Sequence, residues 1–295
     1  MKVAIVGSNG QLGSDLVQAF ADHGDMVCAL THADVDISSC ESVRTALENE
    51  NVSAVVNTAA MHHVENCERD PAAAYSVNAI GARNLALVTR DLGACLIHIS
   101  TDYVFDGKKT APYIEEDSAL PLNVYGNSKL AGECYVRTIN AQHFVVRTSA
   151  LYGAHQCRAK GGRNFVELML ELARTKGQVR VVNDEFVSPT PTRILSHQIV
   201  QLGHCDHFGL YHATSEGSCS WYEFAREIFD VAGVKVQLDM AGASDFPMKT
   251  PRPRYSVLEN EQLKKFGLNL FGPWQDGLRQ YLTEGQLLTA ANARA

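Results

Sequence analysis

Several absences narrow the reading before any motif does. The eight cysteines (Cys28, Cys40, Cys67, Cys95, Cys134, Cys157, Cys205, Cys219) form no Cys-x-x-Cys pair and keep no regular spacing. That argues against a zinc ribbon or a disulfide framework; no metal is expected, and free thiols in a reducing cytoplasm fit better. No run approaches the roughly 18 uncharged apolar residues of a membrane span. The opening MKVAIVGSNG lacks the basic-then-apolar order of a signal peptide. Positive charge is in deficit: 26 Lys and Arg against 33 Asp and Glu give a net charge of −7. Nucleic-acid binders carry a basic face, so neither nucleic acid nor membrane is expected as a partner. The balance still permits a local basic pocket for a phosphorylated ligand. Repeats and low-complexity tracts are also missing. With 45% hydrophobic and 20% charged residues, 295 positions suffice for one large domain or two closely joined ones.

What the chain does have is alternation. Apolar runs at Val3–Val6, Met26–Leu30, Ala54–Asn57, Cys95–Ile99 and His143–Arg147 read as strands buried on both faces. Between them, helical spacing of apolar residues predicts helices over 11–20, 36–48 (begun by the Ser38-Ser39 region), 72–92 and 125–139. Strands alternating with helices predict an α/β fold with a doubly wound parallel sheet of Rossmann type, whose ligands sit beyond the carboxyl ends of the strands. Past Arg147 the pattern loosens. Residues 156–163 read as a polar loop, 164–175, 194–202 and 221–232 as helices, and 179–182 as a strand. Pro247, Pro251 and Pro253 preclude regular structure over 242–255. Residues 1–150 are expected to bind a dinucleotide, with later returns to the sheet. Residues 151–295 are expected to form mainly a smaller, interleaved substrate lobe.

The first strand runs into Gly7-Ser8-Asn9-Gly10-Gln11-Leu12-Gly13 and then a helix. Glycines at these three positions permit a tight turn, backbone approach to a pyrophosphate, and close packing of helix on strand. A carboxylate ending the second strand would bind the 2′-hydroxyl of NAD. That strand ends Ala29-Leu30-Thr31-His32, with no acid before Asp34. Thr31 and His32 favour NADPH, NADH remains open, and His32 reads equally well as a solvated loop residue. Asp36 and Ile37 fall where the adenine edge should lie. Asn57-Thr58-Ala59-Ala60, with Met61 after it, is a small-residue turn suited to the ribose and nicotinamide.

Ser100-Thr101-Asp102-Tyr103 follows the fourth strand, and Tyr125-Gly126-Asn127-Ser128-Lys129 opens the next helix. Spacing of i, i+4 puts Tyr125 and Lys129 on one face. A free phenol titrates near pH 10, and a neighbouring ammonium lowers that value. Tyr125 is therefore expected to protonate a carbonyl oxygen as hydride reaches its carbon, with the Thr101 hydroxyl polarising the same oxygen.

With these residues in place, the sequence resembles the extended short-chain dehydrogenases, and within them the dTDP-4-dehydrorhamnose reductase family. The resemblance rests on GSNGQLG (7–13), NTAA (57–60), VNAIGARNLA (77–86), STDYVFDG (100–107), PLNVYGNSKLAGE (121–133), RTSALYG (147–153), NF (164–165), SPT (188–190) and RPRYS (252–256). It implies reduction of the C4 keto group of a dTDP-linked deoxysugar, with Thr101, Tyr125 and Lys129 catalytic and Ser100 beside the cofactor. Thr101, Asp102, Tyr103, Ala150, Asn164 and Arg252 fall on the nucleotide-sugar side. A homodimer is compatible with it.

Related activities remain to be weighed. Dehydratases of the superfamily carry an acid-base carboxylate where this chain has Tyr103, which disfavours elimination. An epimerase, or a cofactor-binding subunit without catalysis of its own, stays open. Ala150 stands where the family commonly carries a bulky aromatic, so either the sugar pocket is wider or Tyr152 fills the space. Arg252 and Arg254 suit a diphosphate or, equally, a solvated basic loop. His62 and His63 lie near the expected cofactor end or in an ordinary loop.

Overall fold

Strand β1 (Lys2–Val6) turns at Gly7 into helix α1 (Gln11–Asp22). Then come β2 (Met26–Leu30), α2 (Cys40–Leu47), β3 (Ala54–Asn57), α3 (Val64–Arg69) and α4 (Pro71–Tyr75). A π-helical turn at Ser76–Gly81 leads to α5 (Ala82–Leu92), β4 (Cys95–Thr101), α6 (Val124–Ile139) and β5 (His143–Thr148). Beyond it lie β6 (Leu151–Tyr152), α7 (Phe165–Lys176), β7 (Gln178–Val182), β8 (Phe186–Val187), β9 (Thr190–Pro191) and α8 (Thr192–Gly203). The chain continues through β10 (Gly209–His212), β11 (Cys219–Ser220), α9 (Trp221–Ala232), β12 (Gln237–Ala241), α10 (Glu261–Lys265) and α11 (Trp274–Glu284). This computed structural model describes residues 1–156, 162–246 and 250–284.

The main sheet is parallel throughout, in the order β2-β1-β3-β4-β5-β10. The chain leaves β1 towards one edge and returns on its other side, so the topological switch lies between β1 and β3. Leu16, Phe20, Leu195 and Ile199 pack α1 and α8 on one face. Val43, Leu85 and Val136 pack α2, α5 and α6 on the other. A separate core of Val166, Leu170, Phe224, Ile228 and Leu278 joins α7, α9 and α11 beside the parallel pair β7 and β12.

The doubly wound sheet is the fold expected from the apolar runs, and its differences in detail have local causes. The helix expected over 36–48 starts only at Cys40. Asp36 accepts the backbone N–H and hydroxyl of Ser38 at 2.9 and 2.7 Å, which closes a turn, and Ser39 then caps the helix. The helix expected over 72–92 is interrupted by the π turn, where the Asn78 side chain exchanges hydrogen bonds with both backbone groups of Met61 and donates to Ser128 Oγ. Gly132 lets α6 approach this turn closely, since a Cβ there would sit 2.3 Å from Asn78 O. Strand β4 continues through Ser100 and Thr101, which pair with Arg147 and Thr148. Part of the 156–163 loop, and Pro247, lie outside the described residues. The remainder of 242–255 contains one 3-10 turn, Ala243–Asp245. Strand β10 and helix α11 went unanticipated.

Candidate active site

The β1–α1 turn is shaped by its glycines. Gly7 holds φ +82°, and a Cβ there would come within 2.6 Å of Thr58 Oγ1. At Gly13 a Cβ would lie 2.1 Å from Gly7 O, so α1 approaches the strand this closely only because no side chain is present. The Gly10 N–H closes the turn onto Gly7 O at 2.9 Å. No side chain caps α1 and no acid occupies its first turn, which leaves the first N–H groups and the positive dipole end available to an anion. The turn therefore fits a dinucleotide diphosphate.

A cavity of about 490 Å³ opens from this turn across the carboxyl ends of the central strands. It brings together Gly7, Asn9, Gly10, Gln11, Leu12, Gly13, Ala59, Ala60, Ser100, Thr101, Asp102, Tyr103, Tyr125, Lys129, Ala150 and Arg252. Thr31, His32, Asp36, Ile37, Met61 and Asn164 are not on its wall. Thr31 and His32 still follow the strand whose Leu30 carbonyl accepts the N–H groups of Gly7 and Ser8. The Asp34 carboxylate there is turned back onto the Thr31 hydroxyl and N–H. The Asp36 carboxylate is likewise engaged by Ser38, and Ile37 is buried against Gly81.

Asn164 requires a correction. It caps α7, its Oδ1 accepting the Glu167 N–H at 3.1 Å while Nδ2 donates to Gly153 O and Tyr281 Oη. With its amide occupied and 3% exposed, it is a structural cap and does not face the cavity. Tyr152 does not fill the space at Ala150 either; it is fully buried among Phe224, Tyr281 and the second core.

Tyr125 and Lys129 both reach the cavity from α6. Asn123 starts that helix by accepting the Gly126 N–H at 2.9 Å. Glu133, one turn beyond Lys129, makes a buried two-pronged pair with Arg147 of β5 (2.9 and 2.7 Å) and accepts the Ser100 hydroxyl at 2.5 Å. This fixes the rotation of α6 against the sheet. Burial pushes the Tyr125 phenol above its ordinary value, opposed by a hydrogen bond with Thr101. The expected lowering by Lys129 does not appear, because the Lys129 ammonium is turned to other partners. Its Nζ donates to Ile99 O at 2.6 Å and lies 3.4 Å from His98 Nε2. Burial brings Lys129 down to about 8, with Glu133 pulling the other way.

His98 is buried too, held well below the usual imidazole range by desolvation and by Lys129. The Ala59 N–H donates to Asn57 Oδ1, so Asn57 Nδ2 faces His98 Nδ1 at 3.0 Å as a donor. A neutral His98 accepting there carries its proton on Nε2, towards Lys129. A deprotonated Nζ can accept that proton, whereas an ammonium cannot. The His98 contact and the burial of Lys129 thus act in the same direction, weakening its hold on the proton.

Asp102 lines the cavity and is the hub of its floor. It accepts from Thr101 at 3.1 Å, Ser149 at 2.9 Å and Ser256 at 2.5 Å; burial raises its carboxyl above the ordinary value, opposed by these hydrogen bonds. Tyr103 stands edge-on to Tyr125, ring centroids 5.8 Å apart. Arg252 crosses the cavity mouth to pair with Glu65 of α3 at 2.6 Å. Sequence reasoning missed Ser149, Glu65, Val187 and Trp221, all on the wall. Val187 comes from a two-residue strand without periodicity, and Trp221 opens a helix legible in the sequence whose position beside the cavity was not; the Ser after Thr148, within RTSALYG, was the one legible signal.

Known proteins resemble this chain along nearly its whole length. The family model described as RmlD substrate binding domain matches residues 1–287. The spore coat polysaccharide biosynthesis protein SpsK of Bacillus subtilis (strain 168) is 40% identical, over 96% of this chain and 97% of its own. The dTDP-4-dehydrorhamnose reductase of Escherichia coli (strain K12) is 34% identical, over 96% of this chain and 98% of its own. The crystal structure of dTDP-4-dehydrorhamnose reductase from Bacillus anthracis str. Ames, in complex with NADP, superposes with a TM-score of 0.92 at 35% identity, covering 96% and 99% of the two chains. With the match running nearly end to end, the chain belongs to the RmlD family, the dTDP-4-dehydrorhamnose reductases among the extended short-chain dehydrogenases.

Proposed function

We propose that the chain is an NADPH-dependent oxidoreductase that reduces the C4 keto group of a dTDP-4-dehydro-6-deoxysugar, dTDP-4-dehydrorhamnose to dTDP-L-rhamnose. The observation that carries this is the meeting of Thr101, Tyr125 and Lys129 in one cavity with the open N-terminus of α1. NADPH, when bound, supplies the hydride. Everything else falls to side chains of this protein.

The Gly7–Gly13 turn and the first N–H groups of α1 hold the diphosphate of the dinucleotide. Tyr125, protonated at neutral pH like any phenol and held more firmly so by burial, gives its proton to the keto oxygen. Thr101, whose hydroxyl donates to Asp102 in the free protein, turns that proton to the same keto oxygen when substrate binds. Lys129, close to its titration point near 8, returns a proton towards Tyr125. Arg252, exchanging Glu65 for a phosphate, is suited to the nucleotide diphosphate. Residues 1–150 then serve the dinucleotide and 151–295 mainly the sugar nucleotide, with β10 as a return to the sheet.

The test is NADPH oxidation with a panel of dTDP-4-keto sugars, run beside Tyr125→Phe. Turnover of dTDP-4-dehydrorhamnose, reduced about a hundredfold or more in the variant, is expected. NADPH binding without turnover of any member would overturn the proposal in favour of a cofactor-binding subunit.

A further inference from the structure

At the opposite ends of the strands, away from the cavity, two histidines converge on one carboxylate. His23 closes α1, Asp25 immediately precedes β2, and His204 closes α8. His23 Nδ1 lies 3.0 Å and His204 Nε2 2.8 Å from the same oxygen, Asp25 Oδ2. The two rings stand 4.3 Å apart, tilted by 43°. Nothing in the proposed reaction uses these groups.

We propose that His23, Asp25 and His204 form a binding site for one divalent transition-metal ion of the Zn²⁺, Ni²⁺ or Cu²⁺ class. The spacing is that of a coordination shell. Ligand atoms about 2.0–2.1 Å from an ion sit roughly 2.9 Å apart at right angles and about 3.3 Å apart in a tetrahedron. One ligand atom from each residue lies within 4.8 Å of the others, and both nitrogen–oxygen edges already match the shorter spacing.

The donor set selects the ion. Two imidazoles and a single carboxylate suit borderline metals, whereas Mg²⁺ and Ca²⁺ require mainly oxygen ligands. The Asp25 side chain is 2% exposed and its other oxygen is held by the Met1 amine at 2.6 Å, which fixes its orientation. The imidazoles sit at the rim, 51% and 32% exposed, so the remaining coordination positions open to water. On binding, the ion takes the lone pair of the nitrogen facing Asp25 in each ring, and each neutral imidazole keeps its one proton on the nitrogen turned away. An ion there fastens the ends of α1 and α8 to the start of β2, and so acts on stability rather than on reduction.

The experiment titrates untagged, full-length protein with Ni²⁺ by calorimetry and follows thermal unfolding with and without it. One saturable ion per chain and a raised Tm are expected. His23→Asn and His204→Gln keep an amide donor facing Asp25 and so preserve the fold. Each is expected to weaken Ni²⁺ at least tenfold and abolish the Tm rise, with reductase activity unchanged. Absence of saturable binding, or affinity within twofold of wild type in both variants, overturns the site and assigns any bound metal to other histidines or cysteines.

Discussion

Ser256 Oγ donates a 2.5 Å hydrogen bond to Asp102 Oδ2, joining residues 154 positions apart. The same oxygen accepts Ser149 Oγ, and the other accepts Thr101 Oγ1. A single buried carboxylate thus holds the end of β4, the exit of β5 and the 252–256 segment around the Thr101 hydroxyl.

Removing that hub should be felt in both stability and catalysis. Asp102→Ala strands three buried hydroxyls and is expected to cost on the order of 3 kcal/mol in urea unfolding. Asp102→Asn retains an acceptor and is expected to cost less. Because Thr101 is held through Asp102, both variants should lose kcat at least tenfold, while NADPH affinity, set by the β1–α1 turn, stays near wild type. An unaltered kcat in Asp102→Ala would show that Thr101 is positioned by something else.

Lys129 predicts a conflict between stability and function. Holding a lysine that ordinarily titrates at 10.5 down to about 8 disfavours its charged form by roughly 3 kcal/mol at neutral pH. Between those values the unfolded chain binds the proton more tightly, so this group's contribution to stability rises with pH through the window from about 8 to 10.5. Lys129→Met should therefore be inactive yet more stable than wild type at pH 7 without cofactor. Its advantage should shrink in unfolding measurements carried up to pH 9.5. An advantage constant with pH would argue that the titration of Lys129 is not lowered in the folded protein.

The three turn glycines are not equivalent. Gly13→Ala places a Cβ 2.1 Å from Gly7 O and must displace either helix or turn, whereas at Gly10 the nearest atom is 3.2 Å away. NADPH affinity, read by fluorescence titration, should fall tenfold or more in Gly13→Ala. A fall of only a few-fold is expected in Gly10→Ala. The reverse order would contradict the turn geometry.

Glu65 and Arg252 supply a test of substrate binding. If Arg252 leaves Glu65 to meet a diphosphate, Glu65→Gln removes a competitor, and KM for the sugar nucleotide should fall two- to fivefold. Arg252→Ala should raise KM about tenfold or more, consistent with loss of a charge-assisted hydrogen bond. Opposite signs in kinetics at saturating NADPH distinguish this exchange from a pair that only braces the mouth, where both variants would raise KM.

The alternation of apolar runs and helical patterns determined the doubly wound sheet, because a strand covered on both faces has to be apolar throughout. Strands β2 and β3 fall within the bounds read from the chain, as does α9. The Gly7–Gly13 turn and the Tyr125–Lys129 pair were legible because their geometry is local: a turn between adjacent elements, and one turn of one helix. Partners distant in sequence leave no such trace. Gly209–His212 became a sheet strand only by pairing with β5, and Asn164 proved a cap through Gly153 and Tyr281. Trp221 and Val187 reached the cavity, and His23 and His204 met at Asp25, through packing of α1, α8 and α9 that no periodicity records. Even Lys129, singled out from its spacing with Tyr125, owes its lowered titration to the burial that the tertiary structure imposes. The sequence determined which chemistry was available; the fold decided which groups are free to carry it out, because desolvation and hydrogen-bond competition depend on neighbours brought together only by folding.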